Sequence, residues 1–466
     1  MIFRCCNRNF IGAIGCCLWV ISCGCTPEQS LSVPADPVAE APPVPPEQLA
    51  PVTPEIDLPS LLLTATQALE TGHVEAAGNS IRKAFAMAPD NPQVVFMMAL
   101  VLGEEHRYPE AIMMLDELAE AVPETQLPAL GQTAEWLVQS GDWEAAETRY
   151  RAVLDVVPDA AMAHRQLAQL LMRQGRRLEA SLHLKALCEQ GNVEEIELRS
   201  LLSLSAPFAA DASREQLDPI GSLGRARAAA GKEQWDLVIA ELKSTASPTP
   251  AESALLGRAY AEQKDFASLK QWNESNTVAD NVNADAWFAR GVSAAHEQED
   301  RRAVKCFCEA VLRDSTDADA YFQLAASLNR LEATVEDVRT EQAEMVLQRA
   351  KSLARTREIG QQLAQSDQRD LRELAELAKR LGDLERPLES LSWQAVRIAY
   401  GRSSIAEDVL QLQLVEINRQ RMELVNNPQP PSRSFVLCGI DHESIAIDDE
   451  TSVKGEQQRP NDSKNE

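Results

Sequence analysis

Small side chains recur along this chain at an almost constant interval, and no other feature restricts its fold as tightly. Ala77, Ala111, Ala146 and Ala180 follow one another in steps of 34, 35 and 34 residues. Pro89, Pro123 and Pro158 keep the same rhythm, in steps of 34 and 35. Two independent series with one period point to a stacked structural unit that can bury its apolar face only against its neighbours. Aromatic residues make up 5% of the chain, while Ala, Leu, Glu, Gln and Arg are plentiful. That palette favours helix, because strands draw on β-branched and aromatic side chains.

Counted from Leu58 as position 1, the first period places Ala65, Ala77, Ala84 and Pro89 at positions 8, 20, 27 and 32. The second, from Pro92, puts Ala99, Ala111, Leu118 and Pro123 there. The third, from Leu127, puts Ala134, Ala146, Val153 and Pro158 there, with Gly141-Asp142-Trp143 at the turn. The fourth, from Ala161, has Ala168, Ala180 and Leu187, and ends at Gly191-Asn192. Residues 284–317 match best, with Trp287, Gly291, Ala303, Phe307 and Ala310 at positions 4, 8, 20, 24 and 27.

This pattern resembles the tetratricopeptide repeat, a helix–turn–helix unit. The resemblance implies that positions 8, 20 and 27 are where helices cross most closely, so a large side chain there overpacks the contact at about 1–3 kcal/mol. Weaker units run from Leu223 to Pro250, with Gly231 and Trp235 at the turn, and onward from Pro250. A half-unit carries Tyr321, Leu324, Ala325 and Leu328, and its second helix is displaced to Ala343, Leu347 and Ala350. A degenerate pair spans Arg369 to Tyr400, with Pro387 awkwardly at position 20. The implied fold is all-α, a right-handed superhelical solenoid of about eight units. Its expected parts are an N-terminal array over 58–205, a junction at 206–218, a C-terminal array over 219–400 and a capping helix over 401–424. The polar, proline-containing residues 425–466 read as a disordered tail.

The first residues read as an address. Arg4 and Arg8 precede an apolar stretch from Phe10 to Ile21, too short to span a bilayer but suited to a signal-peptide core. Val20-Ile21-Ser22-Cys23 resembles a bacterial lipobox. That implies a signal peptide over 1–22, cleavage before Cys23, acylation of its thiol and attachment to a membrane of the cell envelope. An uncleaved anchor or plain secretion are the alternatives. Residues 23–57 are then anchor and linker; nine prolines and no Lys or Arg fall between Thr26 and Leu58. Such a segment is an extended, disordered spacer reaching up to about 100 Å.

With 71 acidic and 45 basic residues, net charge −26, the chain repels phosphate backbones, so nucleic acid is not an expected partner. Motifs for chemistry fail one by one. Gly231-Lys232 lacks the first glycine of a phosphate loop, since Ala226 stands there, and Glu233 follows it. His296-Glu297 begins like a zinc-protease helix but has no second histidine. Cys306 and Cys308, two apart, point about 200° apart on a helix and cannot share one tetrahedral metal. The Asp314–Asp319 run lacks the glycine and distal Glu of a calcium loop and reads as the turn that begins the next helix. No catalytic residue, metal or cofactor is expected.

The carboxylate clamp of some tetratricopeptide domains is also missing, because Leu62, Thr66, Phe96, Met97 and Leu100 hold the relevant positions in the first two units. The concave-face positions offer Arg165, Gln169 and Arg173, then Arg258, Glu262, Phe288 and Phe322. These are candidates for a groove that accepts an acidic peptide, although Arg and Gln are also simply good exposed helix formers. The expected function is a non-catalytic, envelope-tethered scaffold that binds a protein or peptide. An enzyme sited in the degenerate C-terminal helices, or a purely structural oligomerising solenoid, are the alternatives.

Overall fold

Each period folds as two helices packed on one another through a recurring turn. The turn residue is left-handed at Gly72, His106, Gly141, Gly175, Glu233, Lys264, Gln298 and Glu385. The next residue's N–H reaches back five positions, as in His73 N to Ala68 O, Asp142 N to Leu137 O and Arg386 N to Leu381 O, at 2.7–2.9 Å. This bond satisfies a carbonyl that the end of the first helix leaves open. Glycine takes the conformation without strain, and the five non-glycine turns hold it because the hairpin fixes it from both sides.

A computed structural model describes residues 57–211, 218–276, 283–332, 339–404, 406–429 and 431–445. The signal-peptide core, Cys23, the proline-rich spacer and the tail beyond 445 lie outside the described residues. Among those described, all regular structure is helical. The pairs are α1 (Leu58–Glu70) with α2 (Val74–Met87), α3 (Pro92–Glu104) with α4 (Tyr108–Ala121), α5 (Gln126–Ser140) with α6 (Trp143–Val156), and α7 (Ala161–Arg173) with α8 (Arg177–Gln190). A lone α9 (Glu195–Leu201) follows. Then come α10 (Gly221–Ala230) with α11 (Trp235–Lys243), α12 (Pro250–Gln263) with α13 (Phe266–Ser275), and α14 (Ala284–His296) with α15 (Asp300–Arg313). The last pairs are α16 (Ala318–Glu332) with α17 (Arg339–Gln365) and α18 (Leu371–Asp383) with α19 (Pro387–Gly401), followed by α20 (Glu407–Asn426) and the short α21 (Arg433–Val436).

The small residues do what their positions require. A Cβ added at Gly291 would stand 2.5 Å from the Phe307 ring, and Trp272 covers Gly257 in the same way. Ala65, Ala77, Ala84, Ala99, Ala111, Ala134, Ala146 and Ala180 are fully buried. Pro387 is not an intrusion into a helix. It is the first residue of α19, where its missing N–H would be unpaired anyway.

The described residues divide into two compact units, one ending at Pro158 and one starting at Asp159. In the second unit Ala206 and Phe208, from the expected junction at 206–218, are buried, and α9 packs on α8 and α19. The first unit, α1 to α6, is a plain succession of hairpins around two apolar cores. In the second unit the array returns on itself. Leu184, Leu187, Leu198, Leu201, Leu202 and Phe208 share one core with Ile359, Leu363, Leu374, Leu377, Leu381 and Trp393, nearly two hundred residues onward. Arg386 donates to Leu201 O at 2.7 Å, and Arg369 pairs with Glu195 at 2.8 Å. The long α17 serves two cores, with Ala343, Val346, Ala350 and Leu353 in one and Ile359 and Leu363 in the other.

Two expectations for the C-terminus change. The capping helix exists as α20 and meets α19 and α8, but it buries no residue fully, and Leu412 and Val415 face outward. Residues 425–466 are not all tail: from Ser432 to Ile445 the chain folds back onto α15, α16 and α17. An apolar run, Phe435-Val436-Leu437 with Ile440, lets this otherwise polar segment bury enough surface to order itself.

Candidate interaction surfaces

The residues expected to line an open groove are largely engaged with the protein itself. Arg165 Nε donates to Glu197 Oε1 at 2.7 Å, and Arg173 Nε donates to the Asp218 carbonyl at 2.9 Å. Arg258 and Phe288 are only 3% and 2% exposed, which removes both from any open groove. The Arg258 guanidinium lies 4.2 Å from the centre of the Phe288 ring. Its charge is taken up by Asp317 at 2.5 Å, Asp285 at 3.3 Å and Glu262 at 3.3 Å. Of the predicted set, Phe322 is 36% exposed, and Arg165, Gln169, Arg173 and Glu262 are half-buried. Charge pairing within the array is the physical reason for the correction, since carboxylates and carbonyls of the following elements take up these guanidinium groups.

The interior is a chain of charges. Asp285 receives Arg227 on one carboxylate oxygen and Arg258 on the other. Burial acts to raise its pKa, and the two guanidinium groups overcome that and hold it below the usual carboxylate range. Asp314 goes the other way: burial, reinforced by Asp317, raises it. Asp317 Oδ1 also accepts from the N–H groups of Asp319 and Ala320, each at 3.1 Å, and so caps α16. The acidic run thus begins a helix, as its sequence suggested. Arg357 closes the network on Asp319 at 3.1 Å. Cys306 and Cys308 are ordinary buried side chains of α15, and burial pushes the Cys306 thiol up to about 12, far from a reactive thiolate.

A second surface was not foreseen. Ser432 caps α21 by accepting from Phe435 N at 3.1 Å. Tyr321 Oη donates to Val436 O at 2.9 Å, Gln342 Nε2 to Gly439 O at 3.0 Å, and His442 meets Glu309 at 3.0 Å. Arg349 lies over both the Phe435 and Tyr321 rings, 4.5 and 5.3 Å from their centres. Val436, Leu437 and Ile440 are buried in the core formed by α14 to α17. Beside this segment an open cavity of about 640 Å³ continues between α17 and the end of α18, with Met345, Gln348, Asp383 and Glu385 on its walls. Only the cluster of large apolar residues after Ser432 could have signalled this from sequence.

This arrangement is a repeat surface holding a short, mainly apolar peptide by a few backbone and aromatic contacts. Its sequence relationships agree on the building block. Residues 134–192 match the tetratricopeptide-repeat family. The segment covers the end of α5, then α6, α7 and α8, where the period is most regular. No curated protein matches the chain. Solved structures similar to it include a tetratricopeptide repeat protein from Parabacteroides merdae, 14% identical, covering 58% of this chain and 99% of that one, with a TM-score of 0.27. A chain of the Naa15/Naa10 complex bound to HypK-THB is 12% identical over 81% of this chain and 64% of its own, with a TM-score of 0.27. A chain of the anaphase-promoting-complex assembly Cut9–Hcn1 is 14% identical over 79% and 87%, with a TM-score of 0.25. Such loose superpositions do not bear on partners. The family match is confined to residues 134–192, and helix hairpins with the same turn recur along the other described residues.

Proposed function

We propose that this chain is a non-catalytic protein-interaction scaffold, held at the cell envelope through a lipid on Cys23, and that the groove along α15 to α17 receives a partner peptide. The observation that carries the binding reading is the self-docked segment 432–445. A surface that accepts Val436, Leu437 and Ile440 from its own chain has the shape and polarity to accept the same pattern from another. The tethered segment competes at an effective concentration in the millimolar range, so the groove is guarded until the segment leaves.

A direct test uses the intact chain and its Leu437→Asp variant with a labelled peptide spanning residues 432–445. The charge cannot be buried where Leu437 sits, so the variant should release the segment and bind the peptide at least about tenfold more tightly than the intact chain. Equal or absent binding by both, with helical content unchanged, would reduce the segment to a plain C-terminal cap.

The anchor reading rests on the lipobox-like Val20-Ile21-Ser22-Cys23 and on the proline-rich spacer behind it. Among the described residues no helix is long and apolar enough to cross a membrane. Intact mass of chain extracted from bacterial membranes should exceed that of residues 23–466 by the added acyl groups, and Cys23→Ala should move the protein to the soluble fraction. An unmodified mass, or a variant still in the membrane, removes the lipid from the proposal.

A further inference from the structure

Among the described residues Arg177, in the wall between α8 and α10, makes no ion pair. Arg177 is 6% exposed, and its Nη2 donates only to the carbonyls of Ser200 and Ser203, at 3.3 and 2.9 Å. Its buried Nε has no partner. Across from it Arg227 spends Nη1 on Ser205 O at 2.8 Å and Nη2 on Asp285, and its Nε is likewise buried and unpartnered. Burial of Arg177, with repulsion from Arg227 added, pushes the guanidinium down to about 10, against the weaker pull of Asp211 and Asp314. Both of those carboxylates are committed elsewhere, Asp211 to Arg199 at 2.8 Å and Asp314 to Thr316 at 2.6 Å.

Close backbone packing forces the cations together. Gly224 of α10 lies against the Arg173 carbonyl at the end of α7, so closely that no Cβ fits, and Ile220 N donates to that same carbonyl at 2.8 Å. Arg173, Arg177 and Arg227 thereby line one small cavity of about 20 Å³, with Pro207 and Pro219 also on its walls. A buried charge requires a partner, and a space of this size admits one water or one monatomic ion. Water would fill the space and leave the charge uncompensated.

We propose that this cavity binds a small monatomic anion of the chloride class, coordinated by the inward N–H groups of Arg177 and Arg227, with Arg173 as its outer wall. The anion completes the electrostatics of the second unit's closed side and makes its stability depend on the anion rather than on ionic strength.

The full chain tests this by thermal unfolding in sodium chloride and in sodium gluconate at matched ionic strength. Chloride should raise the midpoint saturably, by about 4 °C at full occupancy, and gluconate should not. Arg177→Met should lose the chloride increment, and bromide in place of chloride should give an anomalous scattering peak in the cavity of a crystal. Should Arg177→Met fail to fold, Arg173→Met, at the half-buried wall, serves instead and should move the chloride half-saturation point upward about three- to tenfold. Equal responses to chloride and gluconate would overturn the proposal, as would an increment surviving in both variants. Phosphate acting where chloride does not would overturn the assignment of a monatomic ion.

Discussion

Arg258→Met should destabilise the second unit by about 3–5 kcal/mol at neutral pH, although methionine keeps most of the volume packed on Phe288. The cost comes from what stays behind. Asp285 and Asp317 are 4% and 3% exposed and would lose a shared guanidinium, with Glu262 losing its ion pair as well. Removing one partner of a buried charge cluster costs far more than the cluster contributes relative to apolar residues. The pH dependence separates this from lost packing. In the native chain Asp285 has a lowered pKa, so its stabilising contribution is complete above the ordinary carboxylate value of 3.8 and is lost as pH falls through the lowered one. In the variant Glu262, whose pKa burial already raises, loses the Arg258 guanidinium that opposes that rise and binds protons more readily when folded. The deficit should therefore be largest at neutral pH and shrink on acidification. Urea unfolding of both chains at pH 7 and pH 5 measures it, and a loss below about 1 kcal/mol at pH 7 would mean that the network is solvated rather than buried.

That network also marks where sequence reading stops. The hairpins were legible because their cause is local: Gly291 lies under Phe307 within one unit, and the alanines at positions 8 and 20 recur with the period. Even the degenerate pair after Arg369 formed as its pattern suggested, with Pro387 shifted from a misfit to a helix start. The concave face was not legible in the same way. Arg165, Arg173 and Arg258 sit where an open array exposes its residues, and arginine on a helix carries no sign of which carboxylate it will meet. Their partners Glu197, Asp218, Asp285 and Asp317 come from successive elements of the array, and no period in the sequence pairs them. The apolar side chains of the shared core, such as Leu198, Phe208 and Trp393, look in sequence like ordinary core residues of their own units. Residues 432–445 were lost to reading for a related reason. Their mean polarity suggests disorder, but a few large side chains with a preformed groove suffice to order them.

Trp393→Ala should cost about 3–5 kcal/mol, the range for deleting a fully buried aromatic ring, but its informative readout is where protection is lost. In a linear array each hairpin touches only its neighbours, so damage in α19 would stay among the C-terminal pairs. Here Trp393 shares a core with Leu198, Leu201 and Leu202 of the α9 region, and Arg386 of the same hairpin donates to Leu201 O. Amide exchange should therefore accelerate in α18 and also in residues 195–202, although nearly two hundred positions separate them. Exchange in α14 and α15 should change less, because Phe307, Val304 and Ala303 belong to a different core. Protection at 195–202 that survives the substitution would show that the two ends fold independently.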